Sequence, residues 1–340
     1  MKSVVVTTGA RLHFGLLAHQ LLAHGLMAQG QPAGREFGGI GLMVDRPGFV
    51  VRAAAAPVND RGHASGDEFV CGTWRERVEN LLAGLRSNAT SSVVSKPLRL
   101  EILQAPPAHA GLGSGTQLGM AVAKALAVLA GENDVSAVEL ARRAGRGLRS
   151  ALGLHGFEHG GLLVEAGQRG PGDISPLVAR AVFPEHWRIV LARPAGATGV
   201  SGTDELHGFA RLAPMQQTIT DRLCRIVLME ILPAVYEHDF AKASNSIGQF
   251  GRLVGEYFAP VQGGVFAHER MRQLAAALAA RGIHGFGQSS WGPTLFILCP
   301  DAEFASRLVG DLTSDPAGAA CEFTIAGPCN HGAQVCVIEE

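Results

Sequence analysis

An excess of charge of either sign is the first thing this chain lacks: 29 basic residues stand against 30 acidic ones, for a formal net charge of −1. No global field draws a polyanion to it, and no basic stripe is interleaved with the aromatic residues, which make up only 6% of the chain. Nucleic acid is therefore not an expected partner. Long apolar runs are missing too. The longest, Met120 to Ala130, carries Lys124 and falls far short of the ~20 residues a membrane span needs, so no membrane partner is expected. The opening stretch Met1 to Thr7 loses its apolar character after three valines and reads as a strand, not as a cleaved leader. The expected compartment is the cytoplasm. Cysteine is sparse: six residues, at positions 71, 224, 299, 321, 329 and 336, form no C-x-x-C pair. They read as small buried hydrophobes, with no disulfides and no metal clamp.

Glycine, at 44 residues, is abundant, and 47% of the chain is hydrophobic. A chain of 340 residues can bury a large core and favours two domains. In the first part, β-like runs at Ser3 to Thr8, Arg11 to Leu17 and Gly38 to Asp45 alternate with glycine-rich turns, and Phe49 to Ala56 continues the pattern. Helical spacing follows at Arg75 to Leu85, then a polar loop at Ser87 to Ser95, a strand at Leu98 to Leu103 and a helix over Leu118 to Ala130. Ser136 is positioned to cap a helix over Val135 to Ala144, and Leu162 to Ala166 reads as a strand. A boundary is expected near Phe183 to His186, giving domains 1–184 and 185–340. Beyond it, strands at Trp187 to Ala192 and Thr294 to Cys299 frame helices at about Met215 to Glu237, Asp239 to Val254 and Val265 to Ala280. A strand and loop over Gly282 to Gly292, a helix at Ala302 to Leu312 and final strands complete an α+β layer of helices on an antiparallel sheet.

The sharpest signal is Ala105 to Leu118, APPAHAGLGSGTQL, lying between the Leu98 strand and the apolar helix. Gly111, Gly113 and Gly115 allow backbone N–H groups to approach a ligand, and the helix start adds partial positive charge. Gly111, Gly113, Ser114, Gly115, Thr116 and Gln117 are thus candidate phosphate contacts, suited to a di- or triphosphate.

Together with Thr8-Gly9-Ala10-Arg11-Leu12-His13-Phe14-Gly15 and Gly285-Phe286-Gly287-Gln288-Ser289-Ser290-Trp291-Gly292-Pro293, this loop resembles the three ordered motifs of the GHMP kinase superfamily over nearly the whole chain. Within that superfamily, Gly111 to Gln117, Gly153-Leu154-His155-Gly156-Phe157-Glu158-His159-Gly160-Gly161, Ser289 to Pro293 and Asn330-His331-Gly332-Ala333 resemble the β-ribofuranosylaminobenzene 5′-phosphate synthase family. The resemblance implies a GHMP kinase fold: an N-terminal ribosomal-protein-S5-like β/α domain and a C-terminal ferredoxin-like α+β domain. It also implies a reaction of 4-aminobenzoate at C1 of phosphoribosyl pyrophosphate that releases carbon dioxide and pyrophosphate and forms a C-riboside, in methanopterin biosynthesis. No organic cofactor is implied, and ATP belongs only to the alternative of a small-molecule kinase. A non-catalytic phosphometabolite-binding protein is the third reading.

By the same resemblance the acidic residue at the kinases' catalytic position is Glu158, expected at the reacting centre either to stabilise positive charge at C1 or to accept a proton from the aminobenzoate nitrogen. Where kinases place a magnesium-binding Glu, this chain has Arg142, Arg143, Arg146 and Arg149. Arg146 and Arg149 suit bidentate contact with phosphate, the alternative being a solvated helix face. Arg11 is a natural partner for phosphate or carboxylate, and Ser289 and Ser290 are candidate donors. Magnesium bridging the pyrophosphate would meet Ser114 or Thr116. Phe157 or Trp291 can stack on the aromatic acid or pack in the core. His13, His19, His24 and His331 stay open between substrate and structural roles, as does the turn Gly38 to Gly41. His155 to His159 also spells H-x-x-E-H, a zinc-protease pattern that needs a helix, and the glycines of this segment argue against one. A homodimer is the default for such an enzyme.

Overall fold

In the computed structural model, residues 2–19, 35–57, 66–87, 96–147, 149–170, 172–199, 208 and 210–339 are described. The expected loop over 88–95 and His24 lie outside them. The first two strands are longer than the sequence pattern suggests: β1 spans Lys2–Leu16 and β2 spans Gly39–Ala55. Glycines that read as turns sit inside them at points of close approach. A β-carbon on Gly9 would lie 2.2 Å from the Val44 carbonyl oxygen, so only glycine lets the strands meet there. Register shifts at Thr8/Ala10 and His13/Gly15 absorb the irregularity.

The first sheet runs β11-β1-β2-β4-β3, with β3 (Glu68–Val70), β4 (Leu98–Gln104) and β11 (Gln334–Glu339). β2 pairs with β4 through Val50–Ala55, while Gly39–Leu42 pairs with β5 (Leu162–Glu165), which in turn pairs with β6 (Leu177–Ala181). The second sheet, β10-β7-β9-β8, is antiparallel throughout, built from β7 (Arg188–Pro194), β8 (Phe286–Gln288), β9 (Leu295–Cys299) and β10 (Cys321–Ala326). The chain passes from one sheet to the other between β6 and β7, and β11 returns to the first.

α1 (Arg75–Ser87), α2 (Ser114–Leu129), α3 (Ala137–Arg143) and α4 (Leu152–His159) belong to the first half. α2 is buried almost all round, with Leu118, Ala121, Val122 and Leu126 packed with Val51, Leu100 and Leu154. Each large aliphatic group so buried contributes about 1.5–3 kcal/mol. Ser136 caps α3 as expected, its Oγ accepting from the Glu139 N–H at 3.3 Å. α5 (Gln217–Ile226) continues through a π turn, Val227–Ile231, into α6 (Leu232–Tyr236); α7 (Phe240–Gln262), α8 (Glu269–Ala280) and α9 (Ala302–Ser314) follow. α8 and α9 pack Met271, Leu274, Leu308 and Leu312 with β7 and β9. Phe14 of β1 meets Phe296 of β9 with ring centroids 4.7 Å apart, tying the sheets together.

α4 corrects the expectation that its glycines forbid a helix. They are there because the helix packs too closely for a side chain: a β-carbon on Gly156 would lie 2.3 Å from Met43 Sδ. Gly160, at φ +64°, then ends the helix. Tertiary packing outweighs a propensity cost of about 1 kcal/mol per glycine. No helix among the described residues is long and apolar enough to cross a membrane.

Candidate active site

From Gln104 the chain turns into α2 through the glycine loop. Gly113, just before the helix, sits at φ +67°, and no side chain caps α2. The Thr116 and Gln117 amides donate to the Gly113 carbonyl at 3.0 and 3.1 Å. The first-turn amides of Ser114 and Gly115 precede any helical acceptor and face out of the helix end, where its positive partial charge lies.

In front of this turn is a cavity of about 690 Å³. It is lined by Gly111 and by Gly113, Ser114, Gly115 and Thr116, together with Arg11 of β1, Arg77 of α1, and Arg146 and Arg149 from the segment between α3 and α4. No aspartate or glutamate among the described residues lines it. Burial, and secondarily the charge of Arg77, push the Arg146 pKa down. Guanidinium groups gathered at each other's expense favour an anion in their midst. Apolar side chains line the cavity too: Phe14, Phe37, Val254 and Phe258, with Trp291, whose ring meets Phe258 edge-on at 5.3 Å.

The three glycine-bearing motifs converge here. The Arg11 amide donates to the Leu112 carbonyl at 3.0 Å, and the Ser290 amide to the His13 carbonyl at 3.1 Å. Ser289 Oγ donates to the Gly111 carbonyl at 2.8 Å and accepts from the His13 amide at 3.2 Å. The second motif presses on the third so closely that a β-carbon on Gly111 would stand 2.3 Å from the Ser289 carbonyl oxygen.

Of the candidates, Arg11, Gly111, Gly113, Ser114, Gly115, Thr116, Arg146, Arg149 and Ser290 line the cavity, as do His13 and Trp291. Gln117 and Ser289 do not. Gln117 is buried, accepts from Thr8 Oγ and donates to the Gly153 carbonyl at 2.8 Å, so it braces α2 against β1 and α4. Glu158 is placed elsewhere: it stands at the end of α4, its side chain 40% exposed, 3.4 Å from His159 Nε2. The kinase-like spacing that singled it out counts along the chain, but the helix carries position 158 beyond the cavity wall. Phe157 is core. His19 Nδ1 lies 2.7 Å from Tyr257 Oη, and His331 is exposed beside the start of β11. His155 Nε2–H donates to the Ser175 carbonyl at 2.8 Å, and no metal-holding cluster of His, Cys, Asp and Glu occurs among the described residues. The zinc-protease pattern is therefore on a helix, with its first histidine turned to Ser175.

Three contributors escaped the sequence pattern. Arg77 and His109 line the cavity, and Glu165 lies behind it. Glu165 is fully buried at the end of β5, accepting from Ser150 Oγ at 2.6 Å and the Ala151 amide at 2.7 Å. It thereby holds the segment that carries Arg149 and caps α4. Burial pushes its pKa up to about 7, against the pull of Ser150, Ala151, Ser175 and Arg11. As for magnesium, Ser114 and Thr116 offer hydroxyls only, and the charged groups beside them are all cationic. Such a donor set does not fit a resident magnesium ion, which prefers anionic oxygen.

A model of the GHMP kinase N-terminal domain matches residues 77–161, the span from α1 to α4 that contains the loop. A curated relative from Methanothermobacter thermautotrophicus, β-ribofuranosylphenol 5′-phosphate synthase, is 31% identical over 313 residues, 86% of this chain and 88% of its own. The chain belongs to the β-ribofuranosylphenol 5′-phosphate synthase family. Another member of this synthase family, from Archaeoglobus fulgidus, is 28% identical over 89% of this chain and 93% of its own. Among solved structures, homoserine kinase from Cytophaga hutchinsonii superposes with a TM-score of 0.65 at 15% identity, covering 98% of this chain and 97% of that one. Mevalonate diphosphate decarboxylase from Staphylococcus aureus gives 0.63 at 15% identity, over 99% and 98%. The synthase is therefore an enzyme on the expected GHMP kinase fold. Its relatives' names specify a phenol where the expected family name specifies an aminobenzene.

Proposed function

We propose that this enzyme joins C1 of phosphoribosyl pyrophosphate to the ring of a 4-substituted benzoate, releasing pyrophosphate and carbon dioxide and leaving a C-riboside 5′-phosphate. The observation that carries this reading is the gathering, around one cavity, of four arginines and the rings of Phe14, Phe37, Phe258 and Trp291, with no carboxylate among its described lining residues. Departing pyrophosphate gains charge as the C1–O bond breaks. Arg11, Arg77, Arg146 and Arg149, with the Ser114 and Gly115 amides, are arranged to accept that charge. The Phe258 and Trp291 rings offer an aromatic surface to hold the substrate ring and keep water from C1. A kinase of this fold would need carboxylates for its metal and its acceptor hydroxyl, and the cationic lining disfavours that alternative.

Both 4-aminobenzoate and 4-hydroxybenzoate fit this chemistry, the former placing the step in methanopterin biosynthesis and the latter matching the relatives' names. Magnesium is proposed only as a counter-ion brought in by the diphosphate, within reach of Ser114 or Thr116. The test incubates the protein with phosphoribosyl pyrophosphate, magnesium and each carboxyl-labelled acid. Labelled carbon dioxide is expected from at least one. Its absence from both, with ATP consumed against a small alcohol, would overturn the reading.

A further inference from the structure

We propose that His13 is the catalytic group that takes the proton from the para substituent of the aromatic acid and returns it as the product forms. The inference rests on the reaction proposed above and adds the base that the reaction needs once Glu158 lies outside the cavity. His13 is only 6% exposed, yet it lines the cavity and neither ring nitrogen has a hydrogen-bond partner among the described residues. Neither ring nitrogen is among the sealed, unpartnered polar atoms of the described interior, so both remain open to solvent or to a ligand in the cavity. Its backbone is held on both sides, by Ser289 Oγ at the amide and by the Ser290 amide at the carbonyl. Nε2 stands over Gly39, where a β-carbon would come within 3.2 Å of it. His13 follows Arg11 on β1, and both side chains line the same cavity as the loop arginines and the rings of Phe258 and Trp291.

The chemistry asks for such a group. The C1–O bond breaks and its electron pair leaves with pyrophosphate. The ring carbon bearing the carboxylate bonds to C1 with a ring electron pair, which makes the para O–H or N–H strongly acidic. His13 takes that proton, discharging the ring to a dienone or imine that still bears the carboxylate. The carbon–carboxylate bond then breaks, carbon dioxide departs, its electron pair restores the aromatic ring, and the imidazolium returns the proton to the oxygen or nitrogen. A weak base suffices for so acidic a proton, and it must be uncharged beforehand. Burial first, and Arg11 second, hold the His13 pKa well below its ordinary value. Of the described groups close to it, Arg11 carries a charge; Ser289, Ser290 and Gly39 carry none.

The test compares His13→Gln, His13→Asn and the wild type. The expected result is a fall in kcat of about 100-fold or more, loss of the acid limb of the pH profile, and pyrophosphate affinity within threefold of wild type. Imidazole added to His13→Ala is expected to restore part of the rate. An active His13→Gln enzyme with an unchanged acid limb would overturn the assignment. If the wild type releases no carbon dioxide, the reaction itself falls, and binding decides His13 separately. His13→Gln should weaken 4-hydroxybenzoate about tenfold and leave benzoate unchanged; equal effects on both acids, or none, remove His13 from contact with the para group.

Discussion

Arg77 and Arg146 reach the same glycine from different elements: a β-carbon on Gly115 would lie 3.6 Å from Arg77 Nη2 and 3.9 Å from Arg146 Nη1. Their mutual repulsion is a standing cost in the free protein that an anion at the α2 N-terminus relieves. Arg77→Gln and Arg146→Gln should each weaken pyrophosphate binding by roughly 10- to 100-fold, in line with about 1.5–3 kcal/mol for a charge-assisted hydrogen bond. Neither should lower the melting temperature. Calorimetric titration paired with thermal unfolding separates the two effects, and a loss of fold stability equal to the loss of affinity would count against the pairing.

Gly111 carries a different burden. At φ +79° and with the Ser289 carbonyl where a β-carbon would go, Gly111→Ala should force the second and third motifs apart. We expect a stability loss of more than about 1 kcal/mol together with loss of turnover, read by denaturant unfolding and by the carbon dioxide assay.

For Glu165 the sign of the pH dependence follows from burial. Its pKa is raised to about 7 from an ordinary 4.5, so the folded chain retains a proton that the unfolded chain gives up. That stability is complete below about pH 4.5 and is lost as pH rises through the window up to about 7, by some 3 kcal/mol at most. Glu165→Gln keeps an oxygen to accept from the Ala151 amide and an NH2 to donate to the Ser150 hydroxyl, without ionising. Unfolding measured between pH 5 and 8 should therefore show the wild type losing stability relative to Glu165→Gln; parallel curves would refute the buried carboxyl's role.

Glu158→Gln should leave turnover within about threefold of wild type, since the side chain is outside the cavity and its contact is a surface pair with His159. A hundredfold loss would return Glu158 to the mechanism.

What was legible in the sequence was local. The loop from Gly111 to Thr116 announces itself because its chemistry, glycine before a helix start, is contained in consecutive residues. The order of strands and helices in the second half was legible for the same reason. The α4 glycines misled because their cause, Met43 on another strand, is distant in sequence. Gln117 and Ser289 had the right chemistry for a ligand but spend it on Gly153 and Gly111. Glu165 closes an ordinary strand and Arg77 sits on an ordinary polar helix, so neither carries a local mark. Only the fold brings them to the arginines and the loop.

β11 pairs with β1 from Lys2 to Thr7, and β1 continues directly into Arg11 and His13. During synthesis the strand that bears these two side chains emerges before the other described elements, and its outer neighbour after all of them. Until then one edge of β1 is open to any stray strand. The site-bearing strand thus waits on a strand more than 300 residues further along the sequence to complete its hydrogen bonding, a long-range closure that slows folding. A nascent chain stalled late in translation would expose that edge to aggregation.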